Sequence, residues 1–355
     1  MSLIVGLAYN LKTQGSSGQD EVEDEAADYD DPQTIQEIAG ALESGGHRVI
    51  HLPYDAGLFG TLTRSRPDIV FNLAEGRGGR NRESIVPAIL EYFDIPYTGS
   101  DPLTLGASLD KAWGKLLVAQ AGVPTPRFFT VGPGQQLPEG FGGIEFPMFV
   151  KPNAEGSSKG IRFSSKVTSP GELVAMVGWV QRTYRQTALI EEYLPGREYS
   201  VGLLGNRARL TVLPTIAVRA GRDVPQAALG DDPSQEFIYS YEVKSRNMEA
   251  AECPALISEA LEARMRALAR RVWDVFECRD VARVDFKLDA DGEPYFLEVN
   301  PLPSLSREWS FLALAGRALG LGYNELVLSI LDEALIRCGF RRESEGGRWT
   351  PWRVA

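Results

Sequence analysis

Cysteine is scarce. Cys253, Cys278 and Cys338 are the only three in 355 residues, and no two stand in a CxxC pair. Three thiols cannot all pair within one chain. That argues against a disulfide scaffold or a zinc ribbon and for a reducing, cytoplasmic compartment. Long apolar runs are missing too: none reaches the ~18 residues that a membrane span needs. Met1 to Gly6 carry no basic stretch and little apolar length, so no secretory signal is expected there. Nor is there an excess of positive charge. Thirty-seven lysines and arginines face 48 acids, a net −11, which speaks against a partner built on a nucleic-acid backbone. A nucleotide site stays open, because a metal ion and a few lysines can supply positive charge locally.

What is present reads as an ordinary globular chain of two or three domains, with 43% hydrophobic and 24% charged residues. No internal repeat is visible. The first 100 residues alternate strand and helix patterns. Strands are expected at Leu3 to Ala8, Arg48 to Leu52 and Asp68 to Asn72, and helices at Gln33 to Ser44 and Ser84 to Phe93. That alternation predicts a parallel, doubly wound α/β sheet. Further helices are expected at 108–122, at Glu172 to Arg185 and at 258–276, where Leu261, Met265, Leu268, Val272 and Phe276 share a face. The part after about residue 197 is richer in strand pattern (Glu198 to Leu204, Arg209 to Val218, Phe237 to Tyr241), and the tail Arg341 to Ala355 is polar with Trp349 and Trp352. Between Asp20 and Asp31 lie eight acids in twelve residues. Such a block is a solvated loop or a lid that attracts a cation.

Three stretches carry chemistry. The first runs from Val281 to Asn300. Asp291-Gly292 between apolar runs predicts a two-residue type I′ hairpin. Ala290 would then pair with Glu293, Asp285 with Glu298 and Arg283 with Asn300. These polar groups share one face, with Val284, Phe286, Leu297 and Val299 on the other. Facing carboxylates repel, so one is protonated or a divalent cation lies between them. Magnesium suits two carboxylates, the Asn300 oxygen and substrate phosphates, with Arg283 holding a phosphate or oxyanion. A salt-bridge cluster on a solvated sheet face would look the same in sequence. The second stretch is Phe149 to Ile161: a strand ends at Lys151 and enters the loop Glu155-Gly156-Ser157-Ser158-Lys159-Gly160. Small residues there let backbone N–H groups approach phosphates, or make a plain hairpin turn. It is not a P-loop, since GxxxxGK[ST] is absent. The third is Ala188 to Glu198, where Glu191 could meet a ribose or sit in a hinge.

Together with Pro96-Tyr-Thr-Gly-Ser100, Leu109-Asp-Lys111, Glu191-x-x-Leu194, Tyr239-x-Tyr-Glu-x-Lys244 and Cys253-Pro-Ala255, these stretches are collinear over roughly residues 68 to 335. In that order they resemble the ATP-grasp superfamily, and within it the D-alanine–D-alanine ligase branch. The resemblance implies an ATP-grasp fold, α/β with an α+β C-terminal part: a Rossmann-like domain at 1–107, a central subdomain at 108–194, a C-terminal subdomain at 195–340 and a tail at 341–355. It implies ATP bound by Lys111, Lys151, Lys244, Glu155, Gly156, Ser157, Ser158, Glu191, Glu192, Leu194 and Glu198. Asp285, Glu298 and Asn300 would hold magnesium, with manganese as an alternative. Arg283, Ser157, Lys244 and Ser304 would serve the reacting groups. The implied activity joins a small-molecule carboxylate and an amine through an acyl phosphate. Related ligases are usually dimers, which implies a homodimer as one partner state, and neither nucleic acid nor membrane is implied as a partner. A nucleotide-binding sensor and an ATP-grasp phosphotransferase are the alternatives.

The sequence departs from the branch where substrates bind. The family's Gly-Gly-x-Ser-x-Glu after the first strand is Ala8-Tyr9-Asn10-Leu11 here. Its His-Gly is Glu75-Gly76, and its aromatic after the Lys244 equivalent is Ser245. Its Asn-Thr-x-Pro-Gly-Met-Thr reads Asn300-Pro-Leu-Pro-Ser304-Leu-Ser306, and Trp309 falls near its carboxylate-binding serine. Glu75, Gly76, Arg283, Ser304 and Ser306 are therefore the candidate substrate residues. The pair of substrates is expected not to be two D-alanines, and Glu75 with the acidic run hints at a cationic one.

Overall fold

Leu3, Val5, Leu7 and Tyr9 point to one side of the first strand and Ala8 to the other, and both sides are buried. A strand covered on both faces belongs at the centre of a parallel sheet. The computed structural model, which describes residues 2–12, 24–230, 237–246 and 248–340, places it there. β1 (Ile4–Tyr9) leads through α1 (Pro32–Ser44) to β2 (Arg48–Pro53), and through α2 (Leu58–Ser65) to β3 (Ile69–Asn72). The order is β2-β1-β3, all parallel, with Val5 beside Val49 and Ile69. α2 and α3 (Ile85–Tyr92) cover one face. Asp20, Glu21 and Glu23 of the acidic run and the 341–355 tail with Trp349 and Trp352 lie outside the described residues.

α4 (Pro102–Leu109) and α5 (Lys111–Gln120) follow, the latter capped by the Asp110 carboxylate. Next come β4 (Phe128–Val131), β5 (Met148–Pro152), β6 (Lys166–Val167), α6 (Pro170–Tyr184) and β7 (Ala188–Glu192). They form an antiparallel sheet in the order β4-β7-β5-β6 that buries Met148, Val150 and Ile190 under α6. The third sheet takes β8 (Glu198–Leu204), β9 (Thr211–Val212) and β10 (Ile216–Ala220). After α7 (Tyr241–Ser245) it adds β11 (Glu249–Glu252), and after α8 (Glu259–Phe276) the hairpin β12 (Val281–Leu288) and β13 (Pro294–Asn300). Its order is β11-β10-β8-β12-β13, with β9 on β8. Met265, Leu268, Val272 and Phe276 of α8 pack on Val284, Phe286, Phe296 and Val299.

α9 (Phe311–Ala318) and α10 (Tyr323–Arg337) return to the first sheet. Ile330, Leu331 and Leu335 share a core with Val5, Leu7, Ile38 and Leu42, and α10 packs along α1. No helix among the described residues is long and apolar enough to cross a membrane.

Three expectations need correction. Phe237 to Tyr241 is not a strand. Phe237 makes one isolated bridge to Leu229, and the Ser240 hydroxyl accepts from Val243 N–H to start α7. A serine cap outweighs the aromatic β preference here. Arg209 to Val218 is two short strands rather than one. The hairpin turn is also longer than two residues. Leu288 pairs with Pro294, and the Asp289 carboxylate accepts from the N–H groups of Asp291 and Glu293 within a five-residue connection. That shifts the register by one, and a bulge between Asp285 and Phe286 shifts it back. Asp285 still faces Glu298 and Arg283 still faces Asn300. Leu297 is the residue the bulge turns over: it lines the cavity instead of the core.

Candidate active site

A cavity of about 650 Å³ opens where the second and third sheets face each other, closed at one end by loops of the first. Every residue expected from sequence as catalytic, nucleotide-binding or metal-holding lines it, as do Glu75, Ser304 and Ser306. Gly76 does not. Its backbone N–H and C=O are both taken by the Asn10 side chain, at 3.0 and 3.1 Å. Its φ is +72°, and a Cβ at this position would fall 2.2 Å from Arg82 O, so only glycine is admitted. Gly76 therefore shapes the loop that presents Glu75.

The hairpin supplies one wall. The Arg283 guanidinium donates to both Asp285 oxygens, at 2.9 and 2.8 Å. Asn300 Nδ2 and Ser200 Oγ also donate to that carboxylate, at 2.9 and 2.6 Å. Glu298 is met by Lys111 from α5 at 2.9 Å. Burial pushes the Glu298 carboxyl up, but Lys111 and Lys151 outweigh it and hold it down at about 2. Glu198, half-buried on the neighbouring strand, is pushed up to about 6 by desolvation, with Asp285 and Glu298 adding to it. Among the described residues no cluster of three or more His, Cys, Asp or Glu is spaced to hold a metal unaided.

The floor holds a charge group of which sequence reasoning named Glu191 and Lys151 and missed Lys115. Lys115 is wholly buried, and Glu191 is 3% exposed. One Glu191 oxygen meets Lys115 at 2.6 Å and the other meets Lys151 at 2.8 Å. Lys115 also donates to Thr125 Oγ1 and Phe296 O. Burial pulls Lys115 down to about 8. Lys151 feels the same burial, but Glu191 and Glu298 outweigh it and raise it. Lys115 stands four residues after Lys111, on the same face of α5, which is the sequence signal that could have found it. Glu192 lies further out, where its carboxylate accepts from the Arg127 backbone and side chain.

The Gly/Ser loop forms the lid. Ser157 and Ser158 both have positive φ, 51° and 58°. Each such non-glycine residue costs ~1–3 kcal/mol and persists only where its surroundings fix it. They are fixed here. Lys244 Nζ donates to Ser157 Oγ at 3.0 Å. Asp24 accepts from Gly160 N–H at 2.9 Å and Tyr184 OH at 2.7 Å. Asp28 meets Lys159 at 2.5 Å and Arg82 at 3.1 Å, and Arg82 also donates to Ala154 O. The described part of the acidic run thus clasps this loop. A charge block in sequence cannot announce partners so far along the chain, which is why Asp28, Lys159 and Arg82 went unread.

A family model described as the C-terminus of D-ala D-ala ligase matches residues 117–332. D-alanine–D-alanine ligase B of Chromobacterium violaceum is 34% identical over 266 residues, spanning 75% of this chain and 80% of that protein. The D-alanine–D-alanine ligase of Aquifex aeolicus is 31% identical over 301 residues, spanning 84% and 94%. An uncharacterized protein, y4sG of Sinorhizobium fredii, is 36% identical over 305 residues, spanning 84% and 86%. In fold, the chain is similar to the D-alanine–D-alanine ligase of Bacillus anthracis complexed with ATP. The TM-score is 0.72 at 21% identity, over 96% of this chain and 100% of that one.

Proposed function

The chain belongs to the D-alanine–D-alanine ligase family of ATP-grasp proteins, and from that premise we propose that it is an ATP-dependent ligase joining a carboxylate to an amine. The observation that carries this is the convergence on one cavity of Lys111, Lys151, Lys244 and Arg283 with the facing pair Asp285 and Glu298. Four cations around two carboxylates suit a polyphosphate with a divalent ion.

ATP would lie between the second and third sheets. Lys111 and Lys151 hold phosphate oxygens from below, and Lys244 reaches them from α7 while anchoring Ser157. Backbone N–H groups of the loop from Glu155 to Ser158 close over the terminal phosphate. Glu198, Glu192 and Leu194 border the nucleoside end. Glu191 acts through its lysines: with both oxygens engaged, it fixes where Lys151 points. The donor set of Asp285, Glu298 and the Asn300 amide fits magnesium, which takes a few carboxylates and fills its shell with phosphate oxygens. When bound, the ion neutralises charge on the transferring phosphate.

The reaction proceeds in two steps. The substrate carboxylate attacks the terminal phosphorus and ADP leaves, giving an acyl phosphate. The amine then attacks the acyl carbon, and phosphate leaves. Arg283, held in place by Asp285 and stacked near the Phe311 ring, is positioned to stabilise the oxyanion of the second step. Ser304 and Ser306 border the reaction centre. We further propose that both amino-acid pockets differ from those of D-alanine ligases. Glu75, Ser245 and the exposed Trp309 at the cavity rim support that reading.

The test is ADP release with ATP and Mg²⁺ against pools of D- and L-amino acids and amines, with mass spectrometry of products. The expected product has the mass of two substrates less water, and Glu298→Gln abolishes it. Efficient turnover of D-alanine as sole substrate would refute the claim about the pockets. Product formation undiminished in Glu298→Gln would refute the assigned site.

A further inference from the structure

The corner of the cavity nearest the first sheet is out of charge balance. Four carboxylates gather there, Asp28, Glu75, Glu83 and Glu155, with two cations, Arg82 and Lys159. Lys159 is spent on Asp28 and Glu155, at 2.5 and 2.7 Å. Arg82 is spent on Asp28 at 3.1 Å, Ala154 O at 2.8 Å and, more loosely, Glu155 at 3.6 Å. Glu83 is only 8% exposed, and its sole ion pair among the described residues is a 3.9 Å approach of that same committed guanidinium. No hydrogen bond or ion pair joins Glu75 to another described residue. Lys111, the next cation along the wall, is engaged by Glu298 and the Glu155 carbonyl. Two carboxylates, Glu83 buried and Glu75 half-buried, therefore face the cavity without a close cation of their own.

Burying an unpaired carboxylate costs several kcal/mol. Without a ligand the fold meets this by keeping protons on. Burial, then mutual repulsion between the two carboxylates, pushes Glu75 well up, and burial pushes Glu83 up to about 7. Glutamines of the same shape would avoid the charge part of that penalty. A ligand bearing positive charge removes it. One ammonium carries three donors and can satisfy one or both carboxylates, and two negative charges are balanced by two ammonium groups.

We propose that one of the two substrates is a diamino acid, an amino acid with an ammonium group beyond its α-amino group, whose ammonium groups are received by Glu75 and Glu83. This rests on the ligase reading above and narrows it to a substrate class. The substrate's carboxylate would then extend toward Arg283, which lines the same cavity.

The test compares the intact protein with ATP and Mg²⁺ on ornithine and lysine, in both D and L forms, and on their neutral counterparts norvaline and norleucine. Each is offered alone and with a panel of second amino acids. A hydrogen bond to a charged group is worth ~1.5–3 kcal/mol, so KM for the diamino acid should lie roughly 10- to 100-fold below that of its neutral counterpart. Glu75→Gln and Glu83→Gln should each raise that KM about tenfold or more, with kcat little changed. The double variant should prefer the neutral acid. Binding alone provides a second readout: the diamino acid should raise the melting temperature of the wild-type protein and not that of the double variant. Equal use of neutral and diamino acids, or an unchanged preference in both variants, overturns the inference and leaves the ligase reading standing. If no combination gives a product of summed mass less water, the ligase reading falls and this inference with it.

Discussion

Glu191→Gln and Lys115→Met remove opposite ends of one buried ion pair, and their costs should differ sharply. Lys115 is brought from 10.5 to about 8 by burial despite Glu191 at 2.6 Å. At neutral pH the fold thus carries roughly 3 kcal/mol of penalty for keeping that ammonium charged. Lys115→Met discards the penalty along with the ion pair, and Glu191 keeps Lys151 at 2.8 Å. That penalty is already net of the Glu191 attraction, so the change should lie between neutral and ~3 kcal/mol stabilising. Glu191→Gln instead leaves two buried lysines with no anion between them. Breaking such a pair costs ~3–5 kcal/mol, moderated only if Lys115 gives up its proton. The sign with pH follows. The unfolded chain holds the Lys115 proton up to 10.5 and the folded one releases it near 8, so wild-type stability should climb between those values. Lys115→Met should lack that climb. Urea unfolding at pH 7 and pH 9.5, followed by circular dichroism, measures both effects. A Lys115→Met variant as unstable as Glu191→Gln, or a wild-type protein with no alkaline gain, would show that the floor is not balanced as described.

Two further predictions concern the corner and the lid. Glu83 titrates near 7 in the fold and near 4.5 unfolded, so its contribution is intact below about 4.5 and is lost as pH rises through 7. The ligand-free wild-type protein should therefore lose on the order of 3 kcal/mol more than Glu83→Gln between pH 4.5 and 8, visible as a steeper fall in melting temperature. Parallel curves would contradict the burial of that carboxyl. Asp28→Asn removes the anion shared by Lys159 and Arg82. It should loosen the Gly/Ser loop, raising KM for ATP about tenfold and opening the 155–160 segment to protease. An unchanged digestion pattern would mean that the clasp is not what holds the loop.

The hairpin shows how a sequence can lead to the right site through wrong steps. Asp291-Gly292 predicts a two-residue turn and a five-residue one is present, yet the bulge beside Leu297 restores the pairing of Asp285 with Glu298. The alternation of Arg283, Asp285, Glu298 and Asn300 survives because the shift occurs on the turn side of all four. Local patterns were legible where neighbours in sequence are partners in space, as in β8, α8 and the Lys151 strand. The Glu191 floor and the Asp28 clasp were not, because their ion pairs join residues 40 to 131 positions apart, as in Lys151–Glu191 and Asp28–Lys159. Their charges look like solvated surface until the fold closes over them. The Ser240 cap was local and readable, but the aromatic run beside it carried the stronger strand signal.

The core beneath β1 and α1 is completed by α10, so the chain's first structural unit borrows the last helix among the described residues. During synthesis at roughly 5–20 residues per second, the apolar face of β1 and α1 waits tens of seconds for Ile330, Leu331 and Leu335 to emerge. The parallel sheet can pair its strands in that interval, but one side stays uncovered. A ribosome-bound intermediate of this protein would therefore present an apolar surface to holding chaperones until α10 has emerged, and premature termination before Tyr323 would leave that surface permanently open.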